Sequence, residues 1–318
     1  MAQEPSEAVQ RLSAGVSEAE EGKNRAQATG IAEVGGEMKS ILITGGSGFF
    51  GHHFARYCLE EGYERVCIYS RNEFNQFKMR EEFKGDDRMR WFIGDTRDRD
   101  RLRRAMEGVE HVVHAAALKR IEASFYNPQE VVKTNVVGTM NAIEAAMDAG
   151  VRRFVLLSSD KAWKAVSIYG HSKAMAESLV LSANNMVGQF GPRFDVTRYG
   201  NVAGSTGSVI PTWRELLAAG HKTVPVSDPD CTRFWMTAKQ ACDLVLHALT
   251  DNSDTHLHIP WLPAFRLGDL AEAMGAEMDV KGLSQFEKKH EGMSDGMTSD
   301  MTTRMSVEEL RKALLCLQ

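Results

Sequence analysis

One local feature constrains this chain more than any other: an apolar strand pattern that runs straight into a glycine loop and then a helix pattern. Residues 41–51 read ILITGGSGFFG, so Gly45, Gly48 and Gly51 follow the strand at three-residue spacing. Glycines placed in this way let the backbone turn and approach a pyrophosphate at the helix N-terminus. Such a loop is a weak signal alone and a strong one on the first βα turn of an alternating chain. That alternation is present: from Ser40 onward the β-rich runs ILIT, RVCIY, MRWFI, HVVHA, RFVLLS and FDVTRY are separated by longer helix-compatible stretches. The pattern predicts an α/β fold on a doubly wound parallel sheet with right-handed crossovers.

Two helices are well delimited. One runs through NPQEVVKTNVVGTMNAIEAAMDAG, with Pro128 near its start and Gly150 after its end; the other carries Tyr169 and runs to about Asn185. After Tyr199 the regularity weakens: Gly, Pro and Ser punctuate the chain to Pro229, and helices are expected around Val209–Ala219 and Ala238–Thr250. Residues 38–200 are expected to form the sheet domain. Residues 201–318 should form mainly a smaller lobe over the sheet's carboxyl edge, where ligands sit in open α/β sheets. Ser306 and Glu309 have the spacing of a capping box that opens a last helix. GMSDGMTSDMTTRM places Met at every fourth position, yet Gly292 and Gly296 favour a loop over a helical stripe. The first 37 residues, rich in Glu, Ala, Gly and Ser, carry neither a signal-type apolar core nor acid-poor transit character. They are expected to be a flexible extension with little function.

Composition narrows the partners. Of 318 residues, 43% are hydrophobic and 25% charged, with a net charge of −5 and a pI near 6.1. No basic footprint for nucleic acid or an anionic membrane is visible, so an anionic ligand must be held by local groups. No apolar run reaches the roughly 18 residues of a membrane span. Five cysteines, at 58, 67, 231, 242 and 316, are scattered without C-x-x-C spacing. They read as reduced, mostly buried thiols of a cytoplasmic protein, and no metal site is expected.

The chemistry-bearing residues cluster in SSDKAWKAVSIYGHSK, residues 158–173. Lys173 stands one helical turn beyond Tyr169, so both project from one face. A nearby ammonium is expected to lower the tyrosine pKa from its ordinary value of about 10. Asp160 and Lys161 add a second acid and a second base. At the end of the second strand, where an acidic residue binds the ribose diol of NAD, the chain reads Tyr69-Ser70-Arg71-Asn72. A hydroxyl and a planar, permanently charged guanidinium suit a 2′-phosphate, which favours NADP. Gly94-Asp95 ends the third strand, where such folds meet the adenine. Ala115, Ala116 and Ala117 end the fourth and leave room beside the nicotinamide ribose.

Together these motifs resemble the inverting UDP-N-acetylglucosamine 4,6-dehydratases, an extended branch of the short-chain dehydrogenase superfamily with a Rossmann-type sheet and a smaller C-terminal substrate lobe. The matched stretches are TGGSGFFG, YSRNE, IGDTRD, HAAALK, NPQEVVKTN, SSDKA, YGHSK, RYGNVAGSTGSVIP and TRFWMT, between Met38 and Met293. The resemblance implies oxidation of the sugar at C4, elimination of water across C5 and C6, and return of the hydride to C6. Tyr169 then takes the 4-hydroxyl proton, Lys161 takes the C5 proton, and Asp160 protonates the departing 6-hydroxyl. Cofactor contacts are implied for Gly45, Ser47, Gly48, Phe49, Phe50, Gly51, Ser70, Arg71, Asn72, Asp95, Thr96, Ala115, Ala116, Ala117, Asn135, Tyr169, Lys173 and Val202. Substrate contacts are implied for Lys119, Asn201, Ser208, Arg233 and Glu291, the last in an E-K-x-H-E pattern with Glu287, Lys288 and His290. A UDP-sugar substrate and a homo-oligomer are expected. To act as a base Lys161 must be partly neutral, which burial near other cations promotes.

The chain also departs from the family pattern. The usual D-K-A-x-x-P-x-N has Ala165 and Ser167 in its last positions, and the H-V-P after A-L-K is Arg120-Ile121-Glu122. The arginine of G-S-R-G-S is Thr206, and R-P-G-E-K is replaced within Leu283-Ser284-Gln285-Phe286-Glu287-Lys288. The chemistry residues are kept while contacts to sugar and nucleotide have drifted, so the reaction is better defined than the substrate. Two other functions compete. An epimerase on this fold uses Tyr169 and NADP without needing the Asp–Lys pair, and a catalytically silent NADP-sensing regulator needs neither Tyr169 nor Lys173.

Overall fold

The computed structural model describes residues 39–188 and 191–317; the expectation for residues 1–37 lies outside them. The chain first alternates through β1 (Ser40–Thr44), α1 (Phe49–Glu60), β2 (Arg65–Ser70), α2 (Glu73–Glu82), β3 (Met89–Ile93), α3 (Arg99–Met106) and β4 (His111–His114). A short α4 (Ile121–Tyr126) precedes α5 (Pro128–Val132) and α6 (Gly138–Asp148), which a π-helical turn at Lys133–Val137 joins. Next come β5 (Arg153–Leu157), α7 (Ile168–Ala183), β6 (Arg193–Thr197), α8 (Val209–Ala218), β7 (Thr223–Val226), β8 (Thr232–Phe234) and α9 (Ala238–Thr250). The chain closes with β9 (Leu257–His258), β10 (Ala264–Arg266), α10 (Leu267–Ala273), β11 (Glu277–Val280), β12 (Gly292–Ser294), β13 (Met297–Thr298) and α11 (Val307–Leu315).

The main sheet runs β3-β2-β1-β4-β5-β6-β9, and every pairing in it is parallel. The doubly wound, Rossmann-type sheet expected from the alternation is what forms. Its strand order reverses between β1 and β4, the place where open α/β sheets leave a ligand crevice.

The period-two alternation of side chains divides β1 between two cores. Ile41 and Ile43 join Phe54, Ala55 and Cys58 of α1 and Ala241, Cys242 and Val245 of α9. Leu42 faces Leu102, Ala105 and Met106 of α3, Ala142, Ala145 and Ala146 of α6, and Val180 of α7. After residue 200 the chain therefore returns to the sheet, through α9 on one face and β9 at the edge. A third core, with Ile210, Trp213, Val224, Trp235, Phe265, Leu270 and Leu310, holds the remaining C-terminal pieces together.

Local signals set several boundaries. Pro128 takes the first position of α5, where its missing N–H loses nothing. The capping box at Ser306 and Glu309 forms and opens α11. The Met-rich segment becomes the β12–β13 hairpin, turning at Gly296 with φ +76, and not a helix. Cys58, Cys67, Cys231 and Cys242 are buried free thiols, while Cys316 is exposed. No helix among the described residues is long and apolar enough to cross a membrane.

Candidate active site

The carboxyl ends of β1, β4 and β5 open onto one cleft of about 680 Å³. Gly45 has φ +67, and a Cβ there would stand 2.9 Å from backbone atoms of Ala116. The glycine loop thus lies flush on the Ala115–Ala117 segment. Gly48 caps α1 without a side-chain hydrogen bond, which leaves first-turn N–H groups for an anion. This cradle fits a dinucleotide pyrophosphate. A Cβ on Gly51 would fall 2.4–2.6 Å from backbone atoms of Gly46, so a glycine here is what lets α1 close on the loop. Overpacking of this kind costs about 1–3 kcal/mol. Gly51→Ala is expected to lower the melting temperature and to weaken dinucleotide binding by roughly tenfold or more. Unchanged values in a thermal melt and a dinucleotide titration would refute the close packing.

At the end of β2, Ser70 Oγ accepts hydrogen bonds from Ser47 Oγ at 2.8 Å and Gln76 Nε2 at 2.9 Å, which leaves its own proton to donate. Arg71 is exposed, with its guanidinium 3.8 Å from the Asp95 carboxylate. Asn72 caps α2 by accepting from the Asn75 N–H at 2.9 Å. Asp95 is gripped by Arg97 through contacts of 3.0 and 2.6 Å.

The catalytic candidates are brought together by a tight reversal after β5. A 3₁₀ turn at Asp160–Ala162 is capped by Ser159, whose Oγ accepts from the Lys161 N–H. Lys164, with φ +44, is the only non-glycine residue with positive φ among the described residues. Ser167 then caps α7 by accepting from the Gly170 N–H at 3.1 Å. A Cβ on Gly170 would lie 2.4 Å from the Lys161 carbonyl oxygen, so turn and helix press together. Asp160, Lys161, Tyr169 and Lys173 consequently share the wall of the cleft.

Asp160 is fully buried. Its Oδ1 accepts from Ser159 Oγ at 2.8 Å and Lys161 Nζ at 3.2 Å, while its Oδ2 has no hydrogen-bond partner among the described residues. Lys161 Nζ also stands 3.5 Å from Glu291 Oε1 and 3.5 Å from Asn201 Oδ1. Behind it, buried Glu291 meets Lys288 at 2.9 Å and Arg233 at 4.0 Å. Lys288 Nζ donates to the carbonyls of Asp160 and Trp163 at 3.0 and 2.8 Å and so staples the turn.

These charges set the protonation states. Burial raises the Asp160 carboxyl above the usual range, and Glu291 adds to the rise while Lys161 opposes it. For Lys161, enclosure alone lowers the pKa, but Asp160 and Glu291 outweigh it and hold the ammonium above the usual lysine range. The expected partly neutral lysine among cations is therefore overturned, because its nearest charges are anions. Glu291 is drawn down to about 2 against its burial by Lys161, Arg233 and Lys288. Burial likewise raises the Tyr169 phenol, and Lys161 is the charge that most opposes the rise. Lys173 is lowered to about 8 by burial and donates to the Leu157 carbonyl. The ammonium that favours a Tyr169 phenolate is thus Lys161, where the sequence reading had assigned Lys173.

Most residues singled out from sequence line the cleft, including Ser47, Phe49, Phe50, Thr96, Lys119, Asn201, Val202 and Ser208; Gly51, Asp95, Asn135, Arg233 and Glu291 do not. Asn135, in the π turn, accepts from the Leu118 N–H at 2.8 Å and donates to the Leu118 carbonyl and Ser172 Oγ at 3.0 and 2.9 Å. It fixes the loop after β4. Arg233 is buried and donates to Glu287 and to the Thr232 and Lys289 carbonyls. Residues the sequence reading missed also line the cleft, among them Ser158, Ser159, Tyr199 and Ser205. Ser159 had a signal, since it immediately precedes the Asp–Lys pair. No metal was expected, yet His247, Asp251 and His258 gather possible ligand atoms within 4.8 Å of one another. They lie outside the cleft, and the Asp251 carboxylate already accepts from the Ser253 N–H and hydroxyl.

A parallel sheet reversing beside a glycine loop, with Tyr169 and Lys173 on the helix after β5, defines the extended short-chain dehydrogenase class. The family of polysaccharide biosynthesis proteins matches residues 41–311, and the chain belongs to it. The inverting UDP-N-acetylglucosamine 4,6-dehydratase of Campylobacter jejuni is 41% identical over 268 residues, 83% of this chain and 80% of that one. A UDP-glucose 4-epimerase of Rickettsia massiliae is 33% identical over 285 residues, 86% of this chain and 80% of that one. The solved structure of Pen from Bacillus thuringiensis matches with a TM-score of 0.84 at 33% identity, over 89% of this chain and 98% of that one.

Proposed function

We propose that this chain is an NADP-dependent nucleotide-sugar 4,6-dehydratase acting on UDP-N-acetylglucosamine or a close UDP-hexosamine. The observation that carries the reading is the enclosed Asp160–Lys161 pair, 3.2 Å apart, lining one cleft together with Tyr169 and the glycine loop. The identity to the Campylobacter enzyme supports it. A nicotinamide dinucleotide held by the Gly45–Gly51 loop and the Ala115–Ala117 segment would supply reversible hydride chemistry between C4 and C6 of the sugar.

The chain's own residues move the protons. Tyr169 must ionise against its burial, which the Lys161 ammonium opposes, and as the phenolate it takes the 4-hydroxyl proton. The resulting ketone acidifies the C5–H. Lys161 is charged at rest, so it must lose a proton before it can accept one, and Asp160 Oδ1 at 3.2 Å is placed to receive it. That single transfer makes a neutral amine for C5 and a carboxylic acid for the departing 6-hydroxyl. Burial of Asp160 favours the transfer by penalising its charged form.

Incubation with UDP-N-acetylglucosamine and mass spectrometry of the product tests this reading: loss of one water is expected. A product of unchanged mass with inverted C4 would overturn it in favour of the epimerase reading, which the Rickettsia relative supports.

NADP preference rests on Ser70 and Arg71 at the end of β2. A charge-assisted contact of this kind contributes about 1.5–3 kcal/mol. Arg71→Asp should therefore weaken NADP by roughly ten- to a hundredfold while leaving NAD nearly unaffected. Equal losses for both in a titration would refute the assignment.

A further inference from the structure

Two of the chain's departures meet in space. Arg120 follows the loop that Asn135 fastens through Leu118. Its guanidinium reaches Gly207, with Nη2, Nε and Cζ lying 3.2, 3.4 and 3.6 Å from where a Cβ on that glycine would stand. Gly207, at φ +72, leaves the room the guanidinium occupies. Thr206, where the family pattern carries arginine, is the adjacent residue. Thr206 is exposed and does not itself line the cleft, but its neighbours Ser205, Gly207 and Ser208 do, and Arg120 faces them from the loop after β4.

The surroundings are those of an anion site. Arg120 is exposed and lines the cleft. Its guanidinium makes no ion pair or hydrogen bond among the described residues, even with Glu122, which also lines the cleft. Its five N–H donors are therefore uncommitted. Ser208 Oγ is shielded from solvent without a hydrogen-bond partner. Ser208 is also the N-cap of α8, a helix of 10 residues whose start has no side-chain cap. A guanidinium, an orphaned hydroxyl and a helix N-terminus converge at the Gly204–Ser208 turn. The dinucleotide has its own cradle at Gly45–Gly51, so this second set of donors calls for a second phosphate-bearing ligand.

We propose that Arg120 holds the diphosphate of a nucleoside diphosphate-sugar against the Gly204–Ser208 turn, as a transposed replacement for the arginine absent at Thr206. This rests on the nucleotide-sugar reading above.

The test is calorimetric titration of the dinucleotide-loaded protein with UDP and with uridine. Arg120→Ala should weaken UDP by about ten- to a hundredfold, leaving uridine affinity, dinucleotide affinity and melting temperature unchanged. Arg120→Lys should recover part of the loss. Thr206→Arg added to Arg120→Ala should restore UDP affinity to within about threefold of wild type. UDP affinity of Arg120→Ala within about twofold of wild type, an equal loss for uridine, or no rescue by Thr206→Arg would each overturn the transposition. A wild-type protein that turns over UDP-sugars keeps the functional reading whatever Arg120 does, whereas one that binds no nucleoside diphosphate overturns both.

Discussion

Lys161→Ala is expected to oxidise its substrate at C4 and then stop. The substitution leaves the glycine cradle and Tyr169 in place and removes the only amine beside Asp160 that lines the cleft. Without it nothing accepts the C5 proton, so water loss should fall by about a hundred- to ten-thousandfold, the usual contribution of a positioned acid or base. Oxidation should survive but slow, because Lys161 is the charge that most favours ionisation of Tyr169. The Asp160 and Glu291 carboxylates would also lose the cation between them. Asp160, already raised by burial, then takes up a proton and relieves their repulsion. A single-turnover experiment separates the two halves: a 4-keto sugar should form with its mass otherwise intact and little deuterium at C5. Dehydration at near wild-type rate would make the Asp–Lys pair structural and sink the mechanism.

What could be read from the sequence follows from the range of the forces involved. The glycine loop, the strands and the α8 and α9 helices rest on local requirements, namely a left-handed φ at Gly45, close approach at Gly51 and period-two burial along β1. Those requirements are written in consecutive residues. The charge state of Lys161 is not. It depends on Glu291, which reaches the turn only because the E-K-x-H-E segment folds back so that Lys288 can bond the Asp160 and Trp163 carbonyls. Sequence spacing marked that segment as relevant but could not say that it brings an anion to Lys161. Asn135 was legible as important but not in its role, since the π turn that aims it at Leu118 has no simple sequence signature. Arg120 and Thr206 were each visible as departures. Only the fold shows that they are neighbours across Gly207.

Asp160→Asn is expected to lose C5 exchange together with water loss, and this outcome distinguishes a shared proton from two independent groups. Asparagine keeps the shape and can still accept from Ser159 and Lys161, but it cannot take the proton that Lys161 must shed. Lys161 would then stay charged beside Glu291, 3.5 Å away, and neither a base for C5 nor an acid for the 6-hydroxyl would form. Dehydration should drop by about a hundred- to ten-thousandfold. Oxidation should run at least as well as in the wild type, because the Asp160 charge, which raises the Tyr169 pKa, is gone. The pH dependence has a definite sign. In this variant Lys161 can become neutral only by losing its proton to solvent, so deuterium exchange at C5 should climb as pH rises, with no recovery of water loss. If instead exchange at neutral pH matched the wild type while dehydration failed, Lys161 would be neutral unaided. The proton transfer from Lys161 to Asp160 would then be wrong, although the dehydratase reading would stand.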